Sequence, residues 1–309
     1  MKCRRHIQSL VALSLALSFL PTIEAEPRCP GNVASIRPRI VGRSLVIVPV
    51  MLNSSGPYDF VLDTGARLTI VDRSLASELH LARLGPTHVT GVGTYMNAEY
   101  GELETLQAGT HAIKQPLILI QDLRWVQQND RHVRGILGSN FLKHYDLLID
   151  YGRRILCLDN TGEMQKKAKG ARIALTPSPY AERDQPFTQL LIIAARVPGI
   201  AHEPLFFVLD SGADTPVLFK AGVWLHSTSF ITSPPRRHQA DEVVQGLAVL
   251  PPLDMKVGAS SLHQISFVTP VAAGKEIPVK PDIDGLLPTS LFRSAFISYA
   301  DHFAILEPR

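Results

Sequence analysis

The chain has 309 residues, of which 45% are hydrophobic and 19% are charged, and its formal net charge is +3. This composition is typical of a globular protein and excludes an intrinsically disordered one, and the length allows two domains of ordinary size. The small net charge gives no indication of nucleic-acid binding. The 23 prolines and 21 glycines favour a fold of many short strands and turns.

The first segment, residues 1–25, predicts a secretory signal peptide. A basic start with Arg4 and Arg5 precedes an apolar run from Leu10 to Leu20, and Ala25 offers a small residue at a cleavage point. The run is too short to cross a bilayer, which takes about 20 residues. We therefore expect an exported protein, periplasmic or extracellular, with no membrane attachment once the signal is removed.

Two cysteines, Cys29 and Cys157, remain after that segment. In an oxidising compartment they could form a disulfide that ties the start of the mature chain to the end of its first half. They could equally remain two unpaired thiols. The sequence leaves both alternatives open, because the separation of their Cα atoms decides between them.

Strands and turns follow in two similar series. A strand over Ser44 to Leu52, a turn and a second strand lead to Asp63, and a strand over Leu190 to Val197, a turn and a second strand lead to Asp210. Asp72 to Leu79 begins like a capped helix. The later predicted segments of each series, in chain order, are alternating strands at Ile113 to Ile120 and Leu262 to Thr269, glycine-led loops at Gly135 to Leu142 and Gly285 to Phe292, and closing hairpins at Tyr145 to Leu158 and Ala295 to Leu306.

This organisation predicts two homologous lobes and a connection between them. The N-terminal lobe is expected over residues 26–159, a linker over 160–185, and the C-terminal lobe over 186–309. The polar and basic stretch from Asn160 to Lys169 is typical of a solvated linker, and we interpret its lysines as promoting solubility.

The most informative repeat is Phe60 to Ala66 (FVLDTGA) against Phe207 to Ala213 (FVLDSGA), in which the aspartates lie 210 − 63 = 147 residues apart. One copy alone is a common turn at the end of a strand. Two copies predict that each lobe brings one aspartate, Asp63 or Asp210, to a shared site.

Two neighbouring carboxylates suit peptide-bond hydrolysis without a metal. Like charges at close range do not both ionise readily, so the pair can share one proton, take a second from water and return one to the substrate. The residues that follow each aspartate fit this chemistry. They are expected to lock the two loops together through hydroxyls (Thr64, Ser211), to offer backbone N–H groups in a tight turn (Gly65, Gly212) and to leave room for substrate (Ala66, Ala213).

The two motifs, together with Ile136-Leu137-Gly138 and the following Phe141-Leu142, resemble those of the pepsin and retropepsin superfamily of aspartic proteases. The resemblance covers nearly all of the chain after the signal segment. It implies a mainly β fold with two β-rich lobes, a few short helices and a central cleft. It also implies an aspartic endopeptidase with Asp63 and Asp210 as the catalytic pair, a peptide or protein substrate and no cofactor. Both lobes lie in one chain, so a monomer would suffice.

The resemblance further implies a β-hairpin flap over the substrate, which we place at Gly91 to Gly101. Gly91 and Gly93 are then expected to contact substrate. Tyr95 or Tyr100 could also lie near the substrate, or both could be ordinary strand residues.

One departure from the superfamily pattern concerns the second lobe. Pro288 occupies the position where a second glycine is expected, and proline removes an N–H group and fixes φ. This departure, with the unequal lengths of the lobes, keeps a second hypothesis open: a non-catalytic protein that binds peptides or cell-wall fragments in the same cleft.

Other hydrolytic chemistries have no support in the sequence. The histidines lack the His-Glu-x-x-His spacing of a zinc peptidase, so no metal is expected. The chain also lacks the Gly-x-Ser-x-Gly elbow of a serine hydrolase.

Overall fold

The computed structural model describes residues 28–42, 44–91, 94–177, 190–219, 231–232, 246–271 and 283–309. The signal peptide predicted over residues 1–25 lies outside these ranges. Within them the fold is dominated by β-strands, with a few short helices, which confirms the predicted mainly β architecture. None of the described helices is long and apolar enough to cross a membrane.

The described residues of the first half form thirteen strands and three short α-helices. The strands are β1 (Ser35–Ile36), β2 (Arg39–Val41), β3 (Leu45–Leu52), β4 (Ser55–Leu62), β5 (Ile70–Asp72), β6 (Ala82–Gly91), β7 (Thr94–Glu102), β8 (Thr105–Ala108), β9 (His111–Lys114), β10 (Leu117–Gln121), β11 (Val133–Leu137), β12 (Asp146–Asp150) and β13 (Ile155–Asp159). The helices are α1 (Arg73–Glu78), α2 (Arg124–Gln127) and α3 (Ser139–Leu142). As predicted, Asp72 caps α1, and its side chain accepts a hydrogen bond from Ser74 N.

The described part of the second half is built from strands alone, apart from short 3-10 turns. The strands are β14 (Ala171–Pro177), β15 (Leu191–Arg196), β16 (Leu205–Asp210), β17 (Val217–Leu218), β18 (Ile231–Thr232), β19 (Gly246–Val249), β20 (Leu253–Val257), β21 (Ser260–Ile265), β22 (Val268–Val271), β23 (Gly285–Pro288), β24 (Ser294–Ser298) and β25 (Phe303–Glu307). The 3-10 turns among the described residues are Pro30–Asn32, Gln165–Lys167 and Thr289–Leu291.

The two lobes repeat one strand order. The first lobe runs β3-β4-β11-β5-β10-β7-β6, and the second runs β15-β16-β23-β17-β22-β19-β18. In each lobe the strand that leads to the aspartate lies parallel to the strand of the glycine-led loop, β4 to β11 and β16 to β23. The repeat seen in the sequence is therefore a repeat of tertiary structure.

A further sheet joins the lobes, with strands in the order β1-β13-β12-β24-β25-β14; we call it the interlobe sheet. At its centre β12 of the first half pairs antiparallel with β24 of the second half, with Leu148 opposite Phe296. Side chains alternate between the two faces of a strand. Leu147, Ile149 and Ile297 thus face the main core, whereas Leu148 and Phe296 pack in a separate cluster on the outer face.

Two strands predicted to be continuous are interrupted in the structure. The stretch Ile113 to Ile120 divides into β9 and β10, because Gln115 adopts a positive φ of 50° and Pro116 has no N–H to donate to a ladder. The stretch Leu262 to Thr269 divides into β21 and β22, where Gln264 has φ 54°. Both breaks turn the chain from a peripheral hairpin back into the sheet of its lobe.

The segment predicted as a linker also contains regular structure. Residues 171–177 form β14, which pairs with β25 in the interlobe sheet and with β15 of the second lobe. Within the predicted polar stretch, the side chain of Met164 is fully buried in the outer cluster. This part of the chain therefore packs against the protein, unlike a free linker.

Cys29 and Cys157 form a disulfide, with a Cα–Cα distance of 5.8 Å. Both side chains are buried in the outer cluster of the interlobe sheet. The bond attaches the start of the described chain to β13. Of the two alternatives that the sequence leaves open, a disulfide or two unpaired thiols, the structure contains the disulfide.

Candidate active site

Asp63 and Asp210 stand at the ends of equivalent strands. Asp63 directly follows β4, and its N–H donates to the carbonyl of Leu137 at 3.0 Å. Asp210 is the last residue of β16 and lies opposite Pro288 in the parallel pair with β23. The residues just before each aspartate, Phe60 to Leu62 and Phe207 to Leu209, are apolar and buried, as expected for parallel strands in a protein interior. Each aspartate is therefore held by a buried strand pair.

The two carboxyl groups face each other and are hydrogen-bonded. The glycine beside each aspartate makes this approach possible. A methyl group at Gly65 would lie 2.6 Å from Asp210 Oδ2, and one at Gly212 would lie 2.5 Å from Asp63 Cγ. Any side chain at either glycine would collide with the carboxyl group of the other lobe.

Backbone N–H groups orient each carboxyl group in the same way. Asp63 Oδ1 accepts from Gly65 N at 2.8 Å and Ala66 N at 3.0 Å. Asp210 Oδ1 accepts from Gly212 N at 2.7 Å and from Ala213 N at 3.1 Å. In each aspartate Oδ1 is fixed by its own loop, so that the other oxygen is left for the partner carboxyl group and for a reactant.

The neighbouring hydroxyls lock the two loops together. Thr64 Oγ1 donates to the carbonyl of Leu209 at 2.7 Å and accepts from Ser211 N at 3.0 Å. Ser211 Oγ donates to the carbonyl of Leu62 at 2.8 Å and accepts from Thr64 N at 3.1 Å. All four bonds cross between the lobes, and both residues are buried. The interlock expected from the resemblance is present in the structure.

Burial and mutual repulsion change the acidity of the pair. Burial raises the pKa of Asp63, although the N–H groups of its loop oppose the shift. Burial and the nearby charge of Asp63 raise the pKa of Asp210 well above its usual range. Because the two groups interact strongly, they titrate as a pair, in which ionisation of one disfavours ionisation of the other.

Behind the first aspartate a polar network supports the glycine-led loop. Asn140 Oδ1 accepts from Thr69 N and from Thr69 Oγ1, both at 2.8 Å. Thr69 Oγ1 also accepts from Gly138 N at 3.2 Å. A methyl group at Gly138 would lie 2.5 Å from the carbonyl oxygen of Leu68, so glycine is required there.

The second lobe replaces this network with two prolines. By the register of β5 and β17, Pro216 is the equivalent of Thr69, and Pro288 is the equivalent of Gly138. Pro288 has no N–H to donate at this loop position, and Pro216 has no hydroxyl that would accept such a bond. The hydrogen bond from Gly138 N to Thr69 Oγ1 in the first lobe thus has neither donor nor acceptor in the second. Pro288 keeps its place opposite Asp210, with φ −60° and ψ 131°. The departure seen in the sequence is therefore matched by a second one, and the strand pairing beside the aspartate is unchanged.

Two tyrosines that the sequence reasoning missed lie beneath the aspartates. Tyr151 follows β12, and its hydroxyl is 2.7 Å from Thr289 Oγ1 in the second lobe. Tyr299 follows β24 and hydrogen-bonds Ser139 in the first lobe. Ser139 Oγ in turn donates to the carbonyl of Thr64 at 3.2 Å. Each tyrosine thus binds the loop behind the aspartate of the opposite lobe.

The electrostatic setting of these tyrosines reflects their position. Burial and the charge of Asp210 raise the pKa of Tyr151 to about 12. Burial, with the charges of both aspartates, raises the pKa of Tyr299. Both hydroxyls therefore stay protonated and take part in these hydrogen bonds as neutral groups. The signal was present in the repeat, because the tyrosines lie 299 − 151 = 148 residues apart, close to the spacing of the aspartates.

The stretch predicted as the flap, Gly91 to Gly101, lies within the hairpin of β6 and β7 and falls almost entirely on β7; the last paired residues of this hairpin are Gly91 and Thr94. Gly93, expected to contact substrate, lies outside the described residues. Tyr100 packs partly buried against the core of the first lobe, as an ordinary strand residue would. The substrate contacts expected of Ala66, Ala213 and Gly91 remain predictions. Within the described ranges no group of three or more His, Cys, Asp or Glu side chains is placed to hold a metal ion.

Comparisons with known proteins agree with this geometry. Residues 48–141, which include the first aspartate and its glycine-led loop, match the aspartyl protease family. The aspartic proteinase from Irpex lacteus is similar in fold, with a TM-score of 0.51 at 10% identity, over 89% of this chain and 96% of that one. A retropepsin-like aspartic protease from Rickettsia conorii matches with a TM-score of 0.31 and 16% identity, over 40% of this chain and 88% of that one.

No curated protein matches the sequence. The family match nevertheless covers the first Asp-Thr-Gly motif, and the fold match spans both lobes. The chain is thus similar over residues 48–141 to the aspartyl protease family, and over most of its length to the fold of an aspartic proteinase.

Proposed function

We propose that this protein is an aspartic endopeptidase in which Asp63 and Asp210 activate one water molecule between them. The observation that carries the proposal is the facing, hydrogen-bonded carboxyl pair at the junction of the lobes. Its pKa values are raised, so that one proton is retained. A merely structural pair of buried carboxyl groups would be costly to the fold, since buried charges destabilise a protein unless they are compensated.

The reaction follows from a dyad that holds one proton. The ionised carboxyl group takes a proton from water while the water oxygen bonds to the carbonyl carbon of the substrate. The protonated carboxyl group gives its proton to the carbonyl oxygen, which yields a neutral gem-diol. As the diol collapses and the C–N bond breaks, the ionised carboxyl group takes a proton from one diol hydroxyl and the protonated one gives its proton to the leaving nitrogen. The dyad returns to its singly protonated state.

The other parts of the site have supporting roles in this proposal. The interlock of Thr64 and Ser211 keeps the carboxyl groups in contact, which matters because displacement of a catalytic group by about 1 Å can cost 100-fold in rate. Ala66 and Ala213 leave space beside the aspartates for an extended peptide. The hairpin of β6 and β7 is the proposed flap, and Gly91 and Gly93 at its end would contact the substrate backbone.

The wider setting is also proposed. The substrate is a peptide or a protein, no cofactor takes part, and one chain supplies both aspartates. The predicted signal peptide places the reaction outside the cytoplasm. The disulfide of Cys29 and Cys157 supports this placement, since such bonds persist in oxidising compartments.

The test is a digest of a broad peptide library with the unsubstituted chain and the variants Asp63→Asn and Asp210→Asn. We expect the unsubstituted chain to cleave and both variants to be inactive while they remain folded by circular dichroism. Asp254→Asn is the matched control, because Asp254 is exposed on β20 and lies outside the dyad. Full cleavage by either dyad variant would show that the water is not activated between these two residues.

The alternative of a non-catalytic binding protein is separated by the same material. If the unsubstituted chain binds peptides but cuts none of them between pH 3 and pH 8, the binding hypothesis replaces the proposal. Inhibition of cleavage by a statine-type transition-state analogue would count in favour of the peptidase, because such a compound mimics the gem-diol.

A further inference from the structure

A cavity of about 410 Å³ lies on the outer face of the interlobe sheet, away from the aspartates. Leu148 and Asp150 of β12 line it. Side chains alternate along a strand, so these residues point away from Tyr151, which lies beneath the dyad. The cavity is therefore separate from the proposed active site and on the opposite side of the sheet.

Positive charge dominates this cavity. Four separate segments of the chain contribute the five cationic side chains that line it, Arg28, Arg153, Lys167, Lys169 and Arg293. The sequence alone predicted that the lysines of this stretch serve solubility. The fold brings two of them together with arginines that are distant in sequence.

The two carboxylates of the cavity are already engaged. Asp150 Oδ2 accepts from Arg153 Nε at 2.7 Å, and its Oδ1 accepts from Arg153 N at 2.7 Å. Glu307 accepts from Ser294 Oγ at 2.9 Å and lies 3.8 Å from Arg293 Nη1. These pairs leave the cavity with a surplus of positive charge.

Three of the cations carry that surplus. Arg28, Lys167 and Lys169 have no ion-pair partner in the part of the chain that the structure describes. The neighbouring Lys166 differs, because it pairs with Glu163 at 2.6 Å. A concave surface with unbalanced charge of one sign concentrates oppositely charged ligands.

We propose that this cavity binds an oxyanion that carries two or more phosphate groups. Its volume falls within the range of small-molecule sites, about 300–1,000 Å³. Arginine offers a planar pair of donors that matches phosphate oxygens, and lysine adds a mobile point charge. Two or more phosphate groups are needed to balance three unpaired cations on a single ligand.

The test is a calorimetric titration of the full chain with sodium tripolyphosphate at about 0.15 M salt, where weak surface attraction is screened. We expect saturable binding that weakens at least tenfold in the double variant Lys167→Glu/Lys169→Glu. The double variant Lys114→Glu/Lys256→Glu makes the same change in net charge at exposed sites elsewhere and is expected to bind like the unsubstituted chain. An absence of saturable binding, or an equal loss in both variants, would overturn the proposal.

A second measurement needs no substitution. Tripolyphosphate is expected to slow the acetylation of Lys167 and Lys169 by an N-hydroxysuccinimide ester, read by mass spectrometry, and to leave Lys256 unaffected. Equal protection of all three lysines would contradict a localised site. Both readouts are independent of peptide cleavage, so they stand or fall separately from the proposed peptidase activity.

A competition experiment distinguishes a phosphorylated lipid headgroup from a free polyphosphate as the ligand of the cavity. If vesicles that contain phosphatidylinositol bisphosphate displace tripolyphosphate whereas phosphatidylcholine vesicles do not, the ligand class is a phosphorylated lipid headgroup. If neither kind of vesicle competes, it is a free polyphosphate. Phosphatidylcholine carries a single phosphate group. If its vesicles displace tripolyphosphate, the cavity does not require two or more phosphate groups, and the proposal is overturned.

Discussion

The hydroxyl of Tyr151, at the end of a strand from the first half of the chain, lies 2.7 Å from Oγ1 of Thr289, behind the aspartate of the second lobe. Tyr299 makes the corresponding bond to Ser139 in the opposite direction. The two bonds cross beneath the dyad and are related by the same pseudo-twofold arrangement as the aspartates. They couple the interlobe sheet to the loops on which the catalytic geometry rests.

Removal of one tyrosine hydroxyl should therefore affect both stability and catalysis. Tyr299→Phe leaves the buried Ser139 without one partner, and the loss of such a bond costs about 1–3 kcal/mol. Because the loop behind Asp63 is loosened, we expect kcat to fall several-fold and the pH profile to shift, with little change in KM.

Tyr145→Phe is the control for this variant, since the Tyr145 hydroxyl makes only a long, exposed contact of 3.4 Å with Ala112 O. Thermal unfolding and a pH–rate profile of both variants provide the measurement. A loss of stability with an unchanged pH profile would limit Tyr299 to a structural role.

The close approach at Gly65 makes a second prediction. In Gly65→Ala the new methyl group would lie 2.6 Å from Asp210 Oδ2, so the carboxyl groups must separate. We expect kcat to fall by about 100-fold, the scale of a 1 Å misplacement. Overpacking is expected to cost about 1–3 kcal/mol of stability. Gly212→Ala should behave in the same way, and normal turnover by a folded Gly65→Ala chain would show that the carboxyl groups need not touch.

The raised pKa of Asp210 predicts how stability changes with pH. A carboxyl group whose folded pKa lies above its unfolded value of 3.8 binds more protons in the folded state between the two values. Its contribution to stability is thus fully present below pH 3.8 and is lost as the pH rises through the folded pKa. Asp63 is shifted in the same direction.

Asp210→Asn removes this dependence, because an amide does not ionise. We expect the variant to be more stable than the unsubstituted chain at pH 7 and the difference to shrink as the pH falls through the raised folded pKa towards 3.8. Chemical denaturation at a series of pH values measures it. A variant that is less stable than the unsubstituted chain at neutral pH would contradict the assignment of repulsion and burial as the cause of the shift.

The proline pair of the second lobe supplies a further prediction. Pro288→Gly restores the residue type found in the first lobe. The new N–H would face Pro216, which lacks the hydroxyl that Thr69 offers at the equivalent position of the first lobe. Glycine also increases the freedom of the unfolded chain, so we expect a loss of about 1 kcal/mol of stability. Activity should stay within a few-fold of the unsubstituted chain. A large gain in activity would show that Pro288 impairs the second lobe.

Much of this architecture is predictable from local sequence repeats. Spacing and patterning predict the hairpins that lead to Asp63 and Asp210, the helix capped by Asp72 and the glycine-led loops. The interlock of Thr64 and Ser211 followed from the resemblance that those motifs carry. These features depend on short segments whose pattern is the same in both halves.

What the sequence did not predict depends on contacts between distant segments. The pairing of β12 with β24 joins residues nearly 150 positions apart, and periodicity cannot name the partner of a strand. The role of β14 was hidden for the same reason, since its flanks are polar and resemble a linker. In the sequence, Tyr151 and Tyr299 look like ordinary residues at strand ends. In the structure, the interlobe sheet brings them beneath the two aspartates.

The interlobe sheet also constrains how such a protein could have arisen and how it can be taken apart. Either half expressed alone would expose β12 or β24 as an unprotected edge, along with apolar side chains that the other half covers. A chain that carried only one of the two aspartates would need a second copy of itself to cover that edge. Because both halves lie in one chain here, the partner strand is always present.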